Sequence, residues 1–413
     1  MKRFLAIAGP GLLVAATGIG AGDLATASFA GSILGTAILW AAVVGAFMKF
    51  VITEGLARWQ LATGTTLLEG LVLRFGRPVG WLFLAYLLVW SFFVASALIS
   101  ACGVTLHALL PLGDDAQPAK VAYGACASLA GAALVLRGGY GLFSKVMQVC
   151  IGAMFVTVIV TAALLWPGAA RVAGGLLIPT VPALDGGWAW TIALMGGIGG
   201  TVTVLAYGYW IREEGRVGAA ALRICRIDLA VAYAVTALFG IAMVIIGSTI
   251  EVHGRGAGLI VDLAGQLGAA LGPAGRLLFL LGAAGAVFSS LLGVWQSAPY
   301  LFADLWRLLL TGPTGVERGG AAEDLERSRP ARVFLVLIAT LPMLGLFFSF
   351  REVQKVYAVT GAWFVPLLTL SLLILNGRSD WVGREWRNRP LTVLVMLLIL
   401  VFFSAVAWRT LTG

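Results

Sequence analysis

The chain is dominated by apolar stretches of about 20 residues that recur along nearly its whole length. A helix of about 20 residues is long enough to cross the hydrocarbon core of a bilayer. Of the 413 residues, 60% are hydrophobic and only 11% are charged, against about 25% charged in soluble domains. The sequence therefore predicts an all-α integral membrane protein. We place spans 1 to 11 at roughly 4–29, 33–58, 79–106, 119–137, 142–166, 189–212, 224–250, 275–307, 331–350, 352–376 and 391–411.

The basic residues predict the orientation of the chain in a cell membrane. With the N-terminus in the cytoplasm, 20 of the 28 Lys and Arg residues fall on the inner side and 7 on the outer side, while Lys49 lies within a span. Cytoplasmic connections carry an excess of Lys and Arg in multi-pass proteins. We therefore expect a cytoplasmic N-terminus and, after eleven spans, an outer C-terminus. The same distribution indicates that the positive charge orients the chain in the membrane and does not bind nucleic acid.

The connections between spans are too short to hold a soluble catalytic domain. The chain has no G-x-x-x-x-G-K-[ST] phosphate loop, and no Ser, His and Asp set can assemble within the spans. We therefore predict that the protein is not an enzyme, has no cofactor and has no obligate protein partner. Its expected partners are the lipid bilayer and a small ion or molecule.

Two clusters of glycine interrupt the helical pattern, G-I-G-A-G-D-L-A-T-A at 18–27 and G-G-I-G-G at 196–200. Each glycine weakens a helix by roughly 1 kcal/mol against alanine. Such interruptions in corresponding positions of two halves point to the binding site of a transporter. Alternatively, the small residues only allow helices to approach closely.

The positions of the two clusters predict an internal repeat. Spans 1–5 (about 4–166) and 6–10 (about 189–376) form the two halves of a single transporter domain, and span 11 (about 391–411) is an addition. Because five spans is an odd number, the second half enters from the opposite side of the membrane. The prediction is a leucine-transporter-like fold of 5+5 inverted repeats, with spans 1 and 6 broken.

The residues around both breaks resemble those of a known family. The stretch G-P-G-L-L-V-A-A-T-G-I-G-A-G-D-L-A-T-A at 9–27 is similar to the first helix of Nramp (natural resistance-associated macrophage protein) divalent-metal transporters. The stretch G-G-I-G-G-T-V-T-V-L-A at 196–206 is similar to their sixth helix. The resemblance extends to 61–70 and 289–298 and covers essentially the whole chain. It implies a transporter with inverted repeats and a substrate site between spans 1 and 6.

The chain departs from that family at the metal-binding positions. The family's first-helix signature Asp-Pro-Gly-Asn aligns with residues 20–23, so a glycine stands at the Asp position and Asp23 at the Asn position. The Met and His of the sixth-helix Met-Pro-His align with Thr203 and Leu205. Span 3 contains no Asp, Glu or His, although the family uses acidic residues there for proton movement. The resemblance therefore implies a divergent member that lacks the usual transition-metal ligands.

Asp23 is the only acidic residue in the middle of span 1, at the edge of the predicted break. An ionised side chain inside a bilayer is costly, which makes it a functional-site hypothesis by default. Lys49 and Glu54 lie nearby in sequence, in span 2. Either Asp23 binds a cationic substrate, or it pairs with Lys49 in a structural ion pair. We accordingly assign Lys49 and Glu54 a role in coupling or in a structural ion pair.

The other predicted ligands are oxygen atoms of the backbone and of small polar side chains. With Asp23, which is also the predicted metal ligand, the substrate site includes Gly20, Gly200, Thr203 and Gln296. One carboxylate with carbonyl and hydroxyl oxygens suits a hard cation such as Mg²⁺ better than a transition metal. The same atoms suit Na⁺ or an organic amine.

We therefore predict a secondary transporter that moves a small cation by alternating access, with a hard divalent metal ion as the substrate. The alternatives are a transporter of a small organic solute or amino acid, and an uncoupled carrier or channel.

Three aromatic residues, Tyr207, Tyr209 and Trp210, follow the second break. Their rings either line a cavity and attract a cation or belong to an interfacial aromatic belt. The belt is the favoured interpretation for Trp210, which precedes the charged stretch I-R-E-E-G-R.

Overall fold

The computed structural model describes residues 9–112, 116–184, 186–249, 258–311, 322–347 and 350–412, which are helical almost throughout. The α-helices in these ranges are α1 (Gly9–Gly18), α2 (Ala21–Leu34), α3 (Leu39–Thr63), α4 (Leu67–Phe75), α5 (Arg77–Leu109), α6 (Ala116–Leu164), α7 (Ala169–Leu177), α8 (Gly187–Gly197), α9 (Ala206–Glu213), α10 (Gly218–Ser248), α11 (Gly258–Thr311), α12 (Ala322–Arg327), α13 (Arg329–Thr340), α14 (Phe350–Leu375), α15 (Ser379–Val382) and α16 (Pro390–Thr412). Short 3₁₀ helices cover Gly35–Ile38, Val202–Leu205 and Leu341–Phe347.

These helices correspond to the predicted spans. Helices α1 and α2 form span 1, and α8 and α9 form span 6. Spans 2, 3, 7, 10 and 11 are α3, α5, α10, α14 and α16, and span 9 is α13 with the 3₁₀ helix after it. Within the described ranges, seven helical segments are long and apolar enough to cross a membrane, and Trp363–Leu375 and Pro390–Ala405 are apolar but shorter.

Two of the long helices bend sharply at a glycine. Helix α6 has 49 residues, which at about 1.5 Å per residue is roughly twice the thickness of a bilayer core. Its backbone turns at Gly139, where φ is 56°, a value that only glycine adopts readily. Spans 4 and 5 are the two arms of this helix. Helix α11 turns likewise at Gly272, so a shorter helical arm at 258–271 precedes span 8.

The spans pack as two groups that meet at span 1. Spans 1 and 2 pack against span 7, while spans 3, 4 and 5 pack against span 8. The first half of span 6 contacts span 2 and the second half of span 1, and both halves of span 1 also contact span 8. The two broken helices therefore lie side by side in the centre of the protein.

The connection between spans 2 and 3 begins with a strong helix start signal. Thr66 is the N-cap of α4, and its hydroxyl accepts a hydrogen bond from the Glu69 backbone N–H at 3.1 Å. The Glu69 carboxylate in turn accepts from the Thr66 N–H at 2.6 Å. This reciprocal capping box explains why the stretch T-T-L-L-E-G forms a separate short helix.

Candidate functional site

The break in span 1 lies where the glycine cluster predicts it. Helix α1 ends at Gly18 and α2 begins at Ala21. Between them Gly20 is extended, with φ −115° and ψ −170°. Asp23 is the third residue of α2, and its Oδ2 accepts a hydrogen bond from the Gly20 N–H at 3.3 Å. An acidic side chain here is also favoured by the positive end of the helix dipole.

The break in span 6 is longer. Helix α8 ends at Gly197, and α9 begins only at Ala206, after the 3₁₀ turn Val202–Leu205. Gly199 and Gly200 have φ values of 87° and 79°, which L side chains rarely adopt. The backbone of this cluster thus has a conformation that glycine adopts easily and that other residues would adopt only with strain.

The two breaks touch through their backbones. A Cβ atom placed on Gly18 would lie 2.7 Å from the carbonyl carbon of Gly199 and 2.9 Å from the Gly200 nitrogen. No side-chain movement can relieve such a contact, since both partners are main chain. The alternative interpretation, that the glycines only permit close packing, therefore describes Gly18 correctly. It does not account for the unwound residues on both sides of the contact.

Asp23 faces this junction. Its Oδ1 lies 3.5 Å from the place where a Gly197 Cβ would be, and the residue is 8% exposed. Lys49 of span 2 is 1% exposed and donates a hydrogen bond to the Gly200 carbonyl oxygen. Its ammonium also lies 5.8 Å from the centre of the Phe403 ring. The junction thus brings together a buried carboxylate, a buried ammonium and an unwound carbonyl.

Lys49 is in direct contact with neither of the two acids considered beside it in the sequence, Asp23 and Glu54. Within the described residues, no salt bridge of 4.0 Å or less joins Lys49 to Asp23 or to Glu54. Glu54 instead pairs with Arg226 at 2.8 Å and with Arg58 at 3.4 Å. Glu54 and Arg58 are one helical turn apart, and Arg226 arrives from span 7, so Glu54 belongs to a separate structural cluster.

The remaining predicted ligands divide between two places. Gly20 and Gly200 lie in the two breaks, and Thr203 is 5% exposed in the 3₁₀ turn, with its hydroxyl 2.8 Å from the Cβ position of Gly200. Gln296 lies about two turns along span 8 from the serines that contact span 1. Its Oε1 accepts from the Trp210 indole N–H at 2.7 Å. Gln296 therefore does not join Gly20, Gly200 and Thr203 at the breaks, although the sequence predicted all four residues in one site.

Span 8 supplies the polar partners of the first break. Ser290 donates to the Thr17 carbonyl at 2.8 Å, and Ser289 approaches the Ala16 carbonyl at 3.2 Å. Carbonyls freed at a helix end need such partners, because hydrocarbon offers none. The Ser290 hydroxyl therefore stabilises the unwound backbone, whereas the Ser289 hydroxyl lies closer to the Ala286 carbonyl of its own helix, at 2.9 Å.

The three aromatic residues after the second break are buried, and the belt interpretation of Trp210 is wrong. Tyr207, Tyr209 and Trp210 are 0%, 1% and 0% exposed. The Tyr207 hydroxyl lies 3.1 Å from Asp228 Oδ2, and the Tyr209 hydroxyl lies 2.6 Å from Asp304 Oδ2. Each ring has a polar partner inside the bundle, so none of them needs the membrane interface.

These contacts reveal buried acids that the sequence reasoning missed. Asp228 in span 7 accepts from the Gly11 N–H at 3.0 Å and from Arg216 at 2.7 Å, in addition to Tyr207. Asp304 in span 8 accepts from Thr66 at 3.0 Å and from Arg307 at 2.7 Å. Each is an acidic residue inside an apolar span, the same signal that singled out Asp23. That signal alone would have found both.

The arrangement at the junction of the two breaks suits a cation that is bound weakly by oxygen atoms. Within the described residues, no three His, Cys, Asp or Glu side chains converge in a way that could hold a metal ion. At the junction, the described donors beside Asp23 are neutral oxygens such as the carbonyl of Gly200 and the hydroxyl of Thr203. Such a set matches a hard cation that keeps part of its hydration shell.

Comparison with solved structures identifies the fold. A crystal structure of a mutant of the Eremococcus coleocola manganese transporter has a TM-score of 0.76 and 16% sequence identity, covering 99% of this chain and 86% of that chain. The same transporter in complex with an aromatic bis-isothiourea substituted compound has a TM-score of 0.74 with the same identity and coverage. At this identity the likeness concerns the fold, which is leucine-transporter-like.

Comparison of sequences identifies the family. The Chromohalobacter salexigens protein named divalent metal cation transporter MntH is 30% identical over 178 residues, which are 42% of this chain and 39% of that protein. The match thus spans about two fifths of the curated relative. The model of the natural resistance-associated macrophage protein-like family matches residues 11–412. This multi-pass membrane protein therefore belongs to the Nramp family.

Proposed function

We propose that the protein is a secondary transporter that moves a small cation by alternating access around spans 1 and 6, and that the cation is a hard divalent metal such as Mg²⁺. The observation that carries the proposal is the contact between the two breaks, with Asp23 buried beside it. The similar proteins named above are transporters of divalent metal cations and of manganese, which supports a metal substrate.

The donor atoms favour Mg²⁺ over a softer metal. Thr203 and Leu205 replace the sulfur and imidazole ligands that the family resemblance would supply. Carboxylate, carbonyl and hydroxyl oxygens prefer Mg²⁺ and Ca²⁺, whereas sulfur and imidazole favour transition metals. Selectivity for Mn²⁺ over Mg²⁺ should therefore be absent.

Lys49 competes with a cation for the site. Its ammonium donates to the Gly200 carbonyl, one of the proposed ligands, and its positive charge repels a bound cation while Asp23 attracts it. A cation must therefore displace the ammonium from Gly200 before that oxygen can act as a ligand.

Uptake into liposomes tests this function. We expect the purified protein in liposomes to accumulate Mg²⁺ against a concentration gradient when a proton or sodium gradient is imposed. Micromolar Mn²⁺ should bind no better than Mg²⁺ in calorimetry. Mn²⁺ binding that survives a large excess of Mg²⁺ would contradict the metal preference. Accumulation of an amino acid instead of metal would support the organic-solute alternative, and strictly downhill flux would support a channel.

We propose further that the N-terminus is cytoplasmic and the C-terminus is outside, from the distribution of basic residues. A cysteine introduced at the exposed Leu112, in a variant without the four native cysteines, should react with a membrane-impermeant reagent in intact cells. A cysteine at the exposed Arg384 should react only after permeabilisation. The reverse pattern would contradict the orientation.

A further inference from the structure

A cavity of about 200 Å³ lies away from the two breaks. It is enclosed by the end of span 4, by span 8, by the short helix α12 and by the start of span 9. Its polar lining consists of three arginines with one glutamate, one glutamine and one tyrosine: Arg137, Arg327, Arg332, Glu326, Gln296 and Tyr300. On the proposed orientation this cavity is at the cytoplasmic end of the spans.

The lining has an excess of positive charge. The Glu326 carboxylate contacts the Tyr300 hydroxyl at 3.3 Å and neighbours Arg327 in the chain. Burial and the nearby charge of Glu213 raise the pKa of Glu326, which favours its neutral form. Arg137 and Arg332 have no salt-bridge partner within 4.0 Å among the described residues. These two guanidinium groups therefore leave the cavity basic.

Gln296 adds a hydrogen-bond donor that lacks a well-placed acceptor. It is 2% exposed, and its Oε1 is already engaged by Trp210. Its Nε2 is buried, and it faces the Tyr300 hydroxyl without making a hydrogen bond of normal length and angle among the described residues. A buried amide donor with a poorly placed acceptor is costly, so a ligand that brings a well-placed acceptor oxygen into the cavity would be stabilising.

An apolar surface leads from the cavity toward the membrane. Leu136, which lines the cavity, is 46% exposed, and Val333 and Val336 on span 9 are 59% and 48% exposed. In a bilayer such side chains contact acyl chains. A ligand with a charged oxygen-rich head and an apolar tail would match both surfaces together.

From these features we infer that the cavity binds the phosphate group of an anionic phospholipid. Guanidinium groups present paired donors that match phosphate oxygens, and basic pockets between membrane helices recognise anionic headgroups. The phosphate lies between Arg137 and Arg332 and accepts from Gln296 Nε2, while the acyl chains follow Leu136. The charge of this cavity repels a metal cation, so the lipid site is separate from the proposed transport site and does not depend on it.

The test compares the double variant Arg137→Gln/Arg332→Gln with the control Arg329→Gln. Arg329 is also exposed at the start of span 9 but does not line the cavity. Purified protein is titrated with phosphatidylglycerol or phosphatidylcholine in detergent, and bound lipid is counted by native mass spectrometry. We expect phosphatidylglycerol to bind at least fivefold more tightly than phosphatidylcholine. The double variant should lose this preference and the control should keep it.

A parallel titration with inorganic phosphate distinguishes a phospholipid headgroup from a soluble phosphate as the ligand. Protection of the melting temperature by millimolar phosphate, lost in the double variant alone, would support the phosphate site but assign it to a soluble ligand. An equal loss in the control variant, or equal binding of both lipids by the unaltered protein, would overturn the proposal. If the double variant is poorly folded, each single variant is measured instead.

Discussion

Asp23 and Asp228 are both acidic residues buried in membrane spans, yet their surroundings differ. Asp228 is 0% exposed and accepts hydrogen bonds from the Gly11 backbone, Tyr207 and Arg216. Asp23 is 8% exposed and, within the described part of the chain, accepts one hydrogen bond, from Gly20 at 3.3 Å. A buried carboxylate with complete partners is structural, whereas one with few partners is available to a ligand.

The same contrast applies to the regions around them. The second half of span 6 is held by two sets of charges, around Asp228 and around Asp304 with Glu69. In the second set Arg307 contacts Glu69 at 2.6 Å and Asp304 at 2.7 Å. At the junction of the breaks, by contrast, backbone atoms provide most of the polar groups. Charge density alone therefore does not mark the proposed site; incomplete pairing distinguishes Asp23 from the other buried acids.

Removing the well-paired carboxylate should have the largest effect. In Asp228→Ala, the Arg216 guanidinium and the Gly11 N–H lose their acceptor inside the protein. Breaking a buried ion pair in this way costs about 3–5 kcal/mol. We expect a large fall in melting temperature and in folded yield, measured by fluorescence-detected size-exclusion chromatography. The exposed Asp380→Asn is the control and should have little effect. A stable Asp228→Ala would show that the two carboxylates are less different than their contacts indicate.

A substitution at the contact of the two breaks should have an intermediate effect. In Gly18→Ala, the new Cβ would lie 2.7 Å from the Gly199 backbone, so the breaks must separate. Overpacking of this kind costs about 1–3 kcal/mol. Uptake should fall together with the melting temperature. The matched control is Gly265→Ala, where a Cβ meets nothing within 4 Å. Normal uptake in Gly18→Ala would mean that close contact of the breaks is dispensable.

The smallest effect on folding is expected for Asp23→Asn, which keeps the shape and the acceptor for the Gly20 N–H. The loss of charge should reduce cation uptake at least tenfold, which corresponds to about 1.4 kcal/mol, with the melting temperature nearly unchanged. Full uptake would refute a role in substrate binding.

The double variant Asp23→Asn/Lys49→Met distinguishes the structural alternative. If Asp23 serves only to neutralise Lys49, the single change should destabilise the protein by about 3–5 kcal/mol, and removing the ammonium should restore both stability and uptake. If Asp23 binds the cation, the double variant should stay inactive. Melting temperature and uptake are measured on both variants.

Local sequence patterns were sufficient to predict the spans and the places where two of them break. Apolar length and the scarcity of charge predict membrane helices, and these are local properties. The clusters at 18–22 and 196–200 predict unwinding because glycine weakens a helix wherever it occurs. The position of Asp23 beside the first break follows from the same residues. All of these features depend on neighbours within a few positions in the chain.

The pairing of the polar groups depends on how the helices pack. Glu54 pairs with Arg226, 172 residues later, and Lys49 reaches Gly200, 151 residues later. Sequence proximity suggested Glu54 as a partner of Lys49, and an adjacent charged stretch favoured a belt position for Trp210. These two inferences were wrong because hydrocarbon obliges each buried polar group to find a partner inside the bundle. Which partner it finds depends on how distant helices pack, and no local pattern encodes that.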